Sequence, residues 1–273
     1  MSVAGVKKFW SDKMSMVLMG LVVVMAFGMG IMWNKVNSLE KSGVTATGTG
    51  TEAGQQAAQQ QPQQVAVTMD QIKALFSKDA VVFGKTNSKL LFVEVSDPSC
   101  PYCHIAAGKN PELNAQVGER FKMVADGGTY QAPVVEMKKL VDQGKAAMVW
   151  IYQNGHGNGE MASKALYCAN EKGKYWEAHD LLMSAKGYDL INNTIKNDKT
   201  KSGELAAFLA TAVNTSDMKT CLDSGKYDAK LQSDQALAGS LGVTGTPGFF
   251  VNTTNFAGAY SFADMKTAVD AAL

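Results

Sequence analysis

The chain has 273 residues, of which 26 are Lys or Arg and 25 are Asp or Glu, for a formal net charge of +1. That balance removes the electrostatic case for a nucleic-acid partner, and the length is ample for a buried core. Its 4 cysteines are too few for a disulfide-stapled miniprotein but suffice for one redox pair and one structural bridge.

From Met14 to Trp33 the stretch MSMVLMGLVVVMAFGMGIMW carries no charge. As a helix it would span roughly 30 Å, the hydrocarbon thickness of a bilayer. Trp10 and Trp33 flank it, and Lys7, Lys8 and Lys13 precede it while only Lys35 follows closely. The positive-inside rule then puts residues 1–13 in the cytoplasm and everything after residue 35 outside, in the periplasm or at the cell-envelope exterior. A cleaved signal peptide would show a shorter apolar run ending in a small-x-small site. Ile31-Met32-Trp33-Asn34 supplies no such site, so residues 14–33 are expected to be an uncleaved transmembrane anchor seated in the lipid bilayer. Residues 34–64 end in SGVTATGTGTEAGQQAAQQQPQQ, which cannot bury enough apolar surface to fold and reads as a flexible linker. The folded domain is expected over residues 65–273.

Within that domain Thr68 can cap a short helix reaching Phe76. Val81-Val82-Phe83 reads as an edge strand, and Leu90 to Val95 as a strand buried on both faces. Pro98 breaks it, and CPYCHIAAG opens a helix. Residues 133–144 suggest another helix and 147–152 a second central strand. Helical patterns dominate from Glu160 to Leu241, broken by the polar stretch NNTIKNDKTKSGE. Residues 248–252 and 255–258 look like a hairpin, and a last helix starts at Phe262. The order predicts an α/β fold with a helical insertion at about 158–241.

The chemistry centres on Cys100-Pro101-Tyr102-Cys103. A helix N-terminus lowers the pKa of a cysteine placed there, and Pro101 suits the first helical position because its missing N–H costs nothing. Cys100 is then expected to be exposed and nucleophilic, with Cys103 one turn behind as the resolving thiol. Zinc would need four ligands, and no second C-x-x-C or H-x-x-x-H completes a set. Cys100 to His104 also spells C-x-x-C-H, the c-type haem attachment pattern; the apolar strand before it and the helix-initiating proline favour redox chemistry. Glu94 interrupts the apolar strand, where a carboxyl is rare unless paired or functional, and it could accept the proton of Cys103. Pro247, just before the apolar run Gly248 to Val251, marks a turn or strand start.

FVEVSDPSCPYCH, HGNGEMASKALYCANEKGKYWEAHDLL, CLDSGKY and LGVTGTPGFFVN, in that order, resemble the DsbA-like branch of the thioredoxin superfamily over roughly residues 65–273. The resemblance implies a thioredoxin-like fold with a helical insertion, here preceded by one N-terminal transmembrane helix. It also implies a cis-proline loop facing the redox pair. Cys100 matches the nucleophile, Cys103 the resolving thiol, Glu94 the buried acid and Pro247 the cis-proline. Thr246, Pro101 and Tyr102 would contact a bound substrate strand. The Pro-Tyr dipeptide differs from the Pro-His of the strongest oxidants and is familiar from glutaredoxins, which leaves the direction of electron flow open. Residues 106–146 are longer and less family-like than the rest.

Cys168 and Cys221 lie in helical segments. Buried free thiols are common, but outside the cytoplasm two spare cysteines usually pair, so a structural disulfide bracing the insertion is expected. His104 either modulates the pair or faces solvent, His179 reads as structural, and His156 sits in a loop before a helix. No metal site and no cofactor beyond the redox pair are expected. The resulting expectation is a dithiol oxidase that introduces disulfides into exported proteins. An integral-membrane, quinone-linked thiol oxidase would be its redox partner, as the family resemblance implies. A tethered disulfide reductase or isomerase with the same site, and a c-type haem-binding electron-transfer protein, are the alternatives.

Overall fold

A computed structural model describes residues 66–77 and 79–273. The expected span at 14–33 and the linker at 34–64 lie outside the described residues. Among the described residues no helix is long and apolar enough to cross a membrane.

The first helix, α1 (Met69–Ala74), starts on a capping box in which the Thr68 hydroxyl accepts from the Gln71 N–H while the Gln71 side chain accepts from the Thr68 N–H; this satisfies two otherwise orphaned donors. Strand β1 (Val81–Gly84) follows, then β2 (Leu90–Ser96) and the redox helix α2 (Pro101–Ala107). Residues 108–132, opaque to sequence reading, hold α3 (Pro111–Val117), two short 3-10 turns and an isolated bridge between Met123 and Tyr130. Helix α4 (Pro133–Asp142) leads into β3 (Ala146–Tyr152). The insertion comprises α5 (Glu160–Glu171), α6 (Tyr175–Leu182), α7 (Ala185–Asp189), α8 (Ser202–Phe208), α9 (Thr215–Asp223) and α10 (Asp228–Ser240). Strands β4 (Gly248–Val251) and β5 (Thr254–Ala257) and helix α11 (Phe262–Ala272) close the chain.

The polar stretch at 192–204 differs from expectation. It contains the end of a π-helical segment (Leu190–Ile195) and a 3-10 turn (Lys199–Lys201) instead of an irregular break. Asn192 and Asn193 find backbone and carboxylate partners one turn back, at Tyr188 and Asp189, which keeps a polar segment helical.

The sheet order is β1-β3-β2-β4-β5. β2 and β3 run parallel, while β1–β3, β2–β4 and β4–β5 are antiparallel. A parallel pair needs a long crossover, supplied by α2 to α4. Because side chains alternate along a strand, Leu91, Val93 and Val95 of β2 pack with α1 and α10 on one face. Leu90 and Phe92 pack on the other, with Ala106 of α2, α4 and α11. Glu94 and Ser96 continue that second face, which puts them under the redox helix. Trp150 and Tyr152 of β3 extend into the core of the insertion. Cys168 of α5 and Cys221 of α9 are joined in a disulfide with their Cα atoms 6.1 Å apart.

Candidate active site

β2 delivers the redox pair. Its last residue, Ser96, is followed by a tight turn in which the N–H of Cys100 donates to the carbonyl of Asp97 (2.9 Å), and Pro101 occupies the first position of α2. Cys100 is therefore the N-cap, with extended backbone and free backbone N–H groups ahead of it. Antiparallel pairing of Glu94 with Phe249 and Val95 with Gly248 brings the start of β4 alongside the end of β2. The Thr246–Pro247 peptide bond immediately before β4 is cis. That loop meets Cys100 directly, its thiol donating to the carbonyl of Thr246 at 3.4 Å.

Cys100 is less open than the sequence suggested: it is only 5% exposed, with the Thr246 carbonyl against its sulfur. Cys103 is fully buried. Both are free thiols. The two are electrostatically split. The Cys103 thiol beside it pulls Cys100 down to about 6 against the penalty of burial, with help from Thr246 and from the N–H groups of Cys103 and Tyr102. Burial and the neighbouring Cys100 push Cys103 well above an ordinary thiol, although the N–H of Asp97 donates to its sulfur at 3.4 Å. The Thr246 hydroxyl is itself buried without another partner, so its proton is free for the ionised sulfur.

Glu94 is buried on the redox-helix face and paired across strands with Trp150. Burial raises its carboxyl to about 8. Ser96, which sequence reading passed over, sits beside both the Glu94 carboxyl and the Cys103 thiol and pulls both pKa values down, yet its buried hydroxyl has no hydrogen bond of good geometry. Glu94 and Cys103 thus share Ser96 as a polar neighbour.

His104 does not face solvent. It is fully buried, its ring nitrogens 2.8 Å from the Pro98 carbonyl and 2.9 Å from the Met183 carbonyl. Burial lowers it to about 4, so the ring is neutral near pH 7. A haem attached at this motif would need that ring for its iron, and both nitrogens are committed inside the protein; the residues do not fit the group. His179 is likewise buried, with Nδ1 3.1 Å from Asp180, and His156 lies exposed in the loop after β3. Among the described residues no cluster of His, Cys, Asp and Glu side chains could hold a metal ion.

Beside Cys100 a cavity of about 530 Å³ opens between the turns of residues 118–131 and the β5–α11 connection. Tyr102, Phe121, Tyr130 and Tyr260 line it, and Thr246 forms its inner end. Tyr102 is 42% and Tyr260 46% exposed, so the wall is an accessible aromatic surface near Cys100. Pro101 stands at the first position of the redox helix. Sequence reading also missed Asp97, Ser99 and Asn192, whose polar side chains surround the turn before Cys100.

A family model described as thioredoxin matches residues 133–271, about half of the chain. The chain belongs to the thioredoxin family. The match starts beyond Cys100 and Cys103 and covers β3, the insertion, the Thr246–Pro247 loop and the C-terminal hairpin and helix. Over 206 residues the chain is 25% identical to a putative protein-disulfide oxidoreductase of Rickettsia conorii, covering 74% of this chain and 64% of that protein. A Na(+)/H(+) antiporter NhaA 3 of Salinispora tropica is 25% identical over 192 residues, 69% of this chain and 24% of the antiporter. The chain therefore spans less than two thirds of the curated relatives it matches.

Among solved structures, a thioredoxin-like oxidoreductase from Silicibacter pomeroyi matches at 22% identity and TM-score 0.50, covering 76% of this chain and 98% of that one. Alpha-DsbA1 of Wolbachia pipientis matches at 17% identity and TM-score 0.54, covering 74% and 95%. The fold of this thioredoxin-family chain is the thioredoxin-like α/β fold with a helical insertion, as in DsbA-type proteins.

Proposed function

We propose that this chain is an extracytoplasmic thiol–disulfide oxidoreductase acting as a dithiol oxidase, which passes a Cys100–Cys103 disulfide to exported proteins bearing cysteines. One observation carries the proposal: Cys100 is held near 6 while its partner Cys103 is pushed well above an ordinary thiol. A stabilised Cys100 thiolate favours the reduced form and so makes the disulfide oxidising.

In that direction a client thiolate attacks the Cys100 sulfur of the disulfide. A client–Cys100 bond forms, and the Cys100–Cys103 bond breaks with its electron pair going to Cys103. The raised pKa of Cys103 draws a proton, which the protonated Glu94 can supply by way of Ser96. A second client thiolate then attacks the client sulfur and releases Cys100 as thiolate, leaving the client oxidised by two electrons and the pair reduced. Thr246, with Pro247 fixing its orientation, would offer backbone hydrogen bonds to the client strand, and Pro101 and Tyr102 would contact it from the helix side. The reaction uses no cofactor beyond the pair. Reoxidation would fall to a quinone-linked thiol oxidase of the membrane, and an anchor at 14–33 with its linker would hold the domain near that partner at high effective concentration. Cys168–Cys221 takes the structural role.

The test is the redox equilibrium of the chain against glutathione, with Cys100→Ser as control. A potential at or above the glutathione couple, lost in the control, supports the oxidase. A strongly reducing couple would turn the same site into that of a tethered reductase or isomerase, and no reversible couple would remove the function altogether.

A further inference from the structure

Asp97 is completely buried and has no cationic side chain within bonding distance. One carboxylate oxygen accepts from the N–H of Ser99 (2.8 Å) and the hydroxyl of Ser99 (2.7 Å). The other accepts from the N–H groups of Gly155 (2.8 Å) and His156 (2.9 Å) in the loop between β3 and α5. All four hydrogen bonds are donated to the carboxylate, which is how a buried anion is offset without a counter-charge.

The two ends of this clamp both lead to the nucleophile. Ser99 immediately precedes Cys100, and the Asn192 side chain of the π-helical segment donates to its carbonyl (3.1 Å). The N–H of Asn158 donates to its hydroxyl (3.2 Å). On the other side, Gly155 lies against Thr246 so closely that a β-carbon there would fall 1.8 Å from the threonine Oγ1. A β-carbon on Gly159 would fall 1.7 Å from the Asp97 carboxylate. Gly155 and Gly159 are thus spacing elements of the loop. Cys100, Ser99, Asp97, Gly155 and Thr246 form a closed ring, completed by the contact from Cys100 to Thr246.

We infer that Asp97 is a positioning residue for Cys100, its carboxylate fixing from behind the separation between the nucleophile and Thr246. Its backbone N–H reaches the Cys103 sulfur, but its carboxylate touches neither reacting sulfur, so the side chain acts through Ser99 on one side and Gly155 on the other. The inference rests on Cys100 being the nucleophile of the proposed function. An asparagine in its place cannot substitute: turned one way its NH₂ faces the N–H groups of Gly155 and His156, turned the other it faces the N–H of Ser99, so at least one backbone donor loses its acceptor. Ser99→Ala loosens the same clamp more gently, keeping the carboxylate and its bonds to Gly155 and His156.

The experiment is the pH profile of Cys100 alkylation in the reduced full chain, for wild type, Asp97→Asn and Ser99→Ala, with urea midpoints measured in parallel. In wild type the expected midpoint is near 6. Asp97→Asn should move it upward, towards the free-thiol value of about 8.5, and Ser99→Ala should move it the same way by less. A profile unmoved in the folded variants, with only the urea midpoint lowered, means a merely structural aspartate and overturns the inference. Should Asp97→Asn not fold, an unmoved Ser99→Ala profile overturns it equally. A wild-type Cys100 that alkylates like a free thiol instead sinks the proposed function, and this inference with it.

Discussion

The sulfur of Cys100 lies 3.4 Å from the carbonyl oxygen of Thr246, 146 residues further along the chain. Neither residue would have a special environment alone. Cys100 is brought there by the turn after β2, and Thr246 by the cis bond before β4 and the β2–β4 register. The contact has two parts: a carbonyl that accepts from the thiol, and a hydroxyl that stabilises the thiolate.

Thr246→Val separates them, since valine keeps the shape and the carbonyl but has no hydroxyl. A hydrogen bond to a charged group is worth about 1.5–3 kcal/mol when buried, and about 1.4 kcal/mol is tenfold in an ionisation constant. Alkylation of Cys100 at pH 6 should slow by about tenfold while the urea midpoint changes little. Equal rates in the two proteins would remove the hydroxyl from the account.

The ionisation of Cys100 should also be visible in the reduction potential. For a two-electron couple each proton taken up contributes about 30 mV per pH step. Below the Cys100 pKa, reduction of the disulfide takes up two protons; above it, with the thiolate stable, only one. The potential should fall at about 60 mV per pH step in acid and about 30 above the break, and the break should lie near pH 6. A single slope between pH 4.5 and 7.5 would contradict the depressed thiol.

How much of this was legible in the sequence depends on the kind of signal. Cys100, Cys103 and Glu94 announce themselves because each is improbable where it stands: two thiols one helical turn apart behind a proline, and a carboxyl inside an apolar strand. Both faces of β2 read as buried because Leu90 to Val95 offers no polar alternation. Asp97 did not stand out, since an aspartate before a proline reads as a turn residue and nothing local says that the turn is buried. The available signal was the spacing Asp97-Pro98-Ser99, in which an aspartate side chain bonds the N–H two residues on. The rest of its environment comes from Gly155 and His156, more than fifty residues away, and only folding brings them together. His104 went the same way: the partner that buries it, the Met183 carbonyl, belongs to the insertion.

Glu94 gives a stability prediction whose sign runs opposite to that of most carboxyls. Its folded pKa is raised to about 8, so the folded reduced protein holds the proton more tightly than the unfolded chain. That stability is fully present below the unfolded value of about 4.3 and is lost as pH rises through the folded value. Between pH 5 and pH 8 it should cost a few kcal/mol, at about 1.4 kcal/mol for each tenfold change in proton affinity. Glu94→Gln, neutral at every pH, should remove this decline and be more stable than wild type at pH 8. Parallel pH dependences of the urea midpoint would show that the carboxyl is not buried in solution.

The acid side belongs to the buried histidines. Burial lowers His104 to about 4, and burial lowers His179 as well. The folded protein therefore binds fewer protons than the unfolded chain below the ordinary value of about 6.5. Stability from His104 is present above that value and is lost as pH falls through the folded one, by up to about 3 kcal/mol. A neutral imidazole has one N–H for two carbonyls, those of Pro98 and Met183. Protonation would satisfy both, but the cost of a charge in that site outweighs the second bond. His104→Gln retains a donor and cannot be charged, so it should lose some stability at pH 7 and flatten the decline between pH 6.5 and 4. Ring-proton spectra should show no titration of His104 above about pH 5. A midpoint near 6.5 would mean that the ring reaches solvent and that α2 is not pinned to the insertion at Met183.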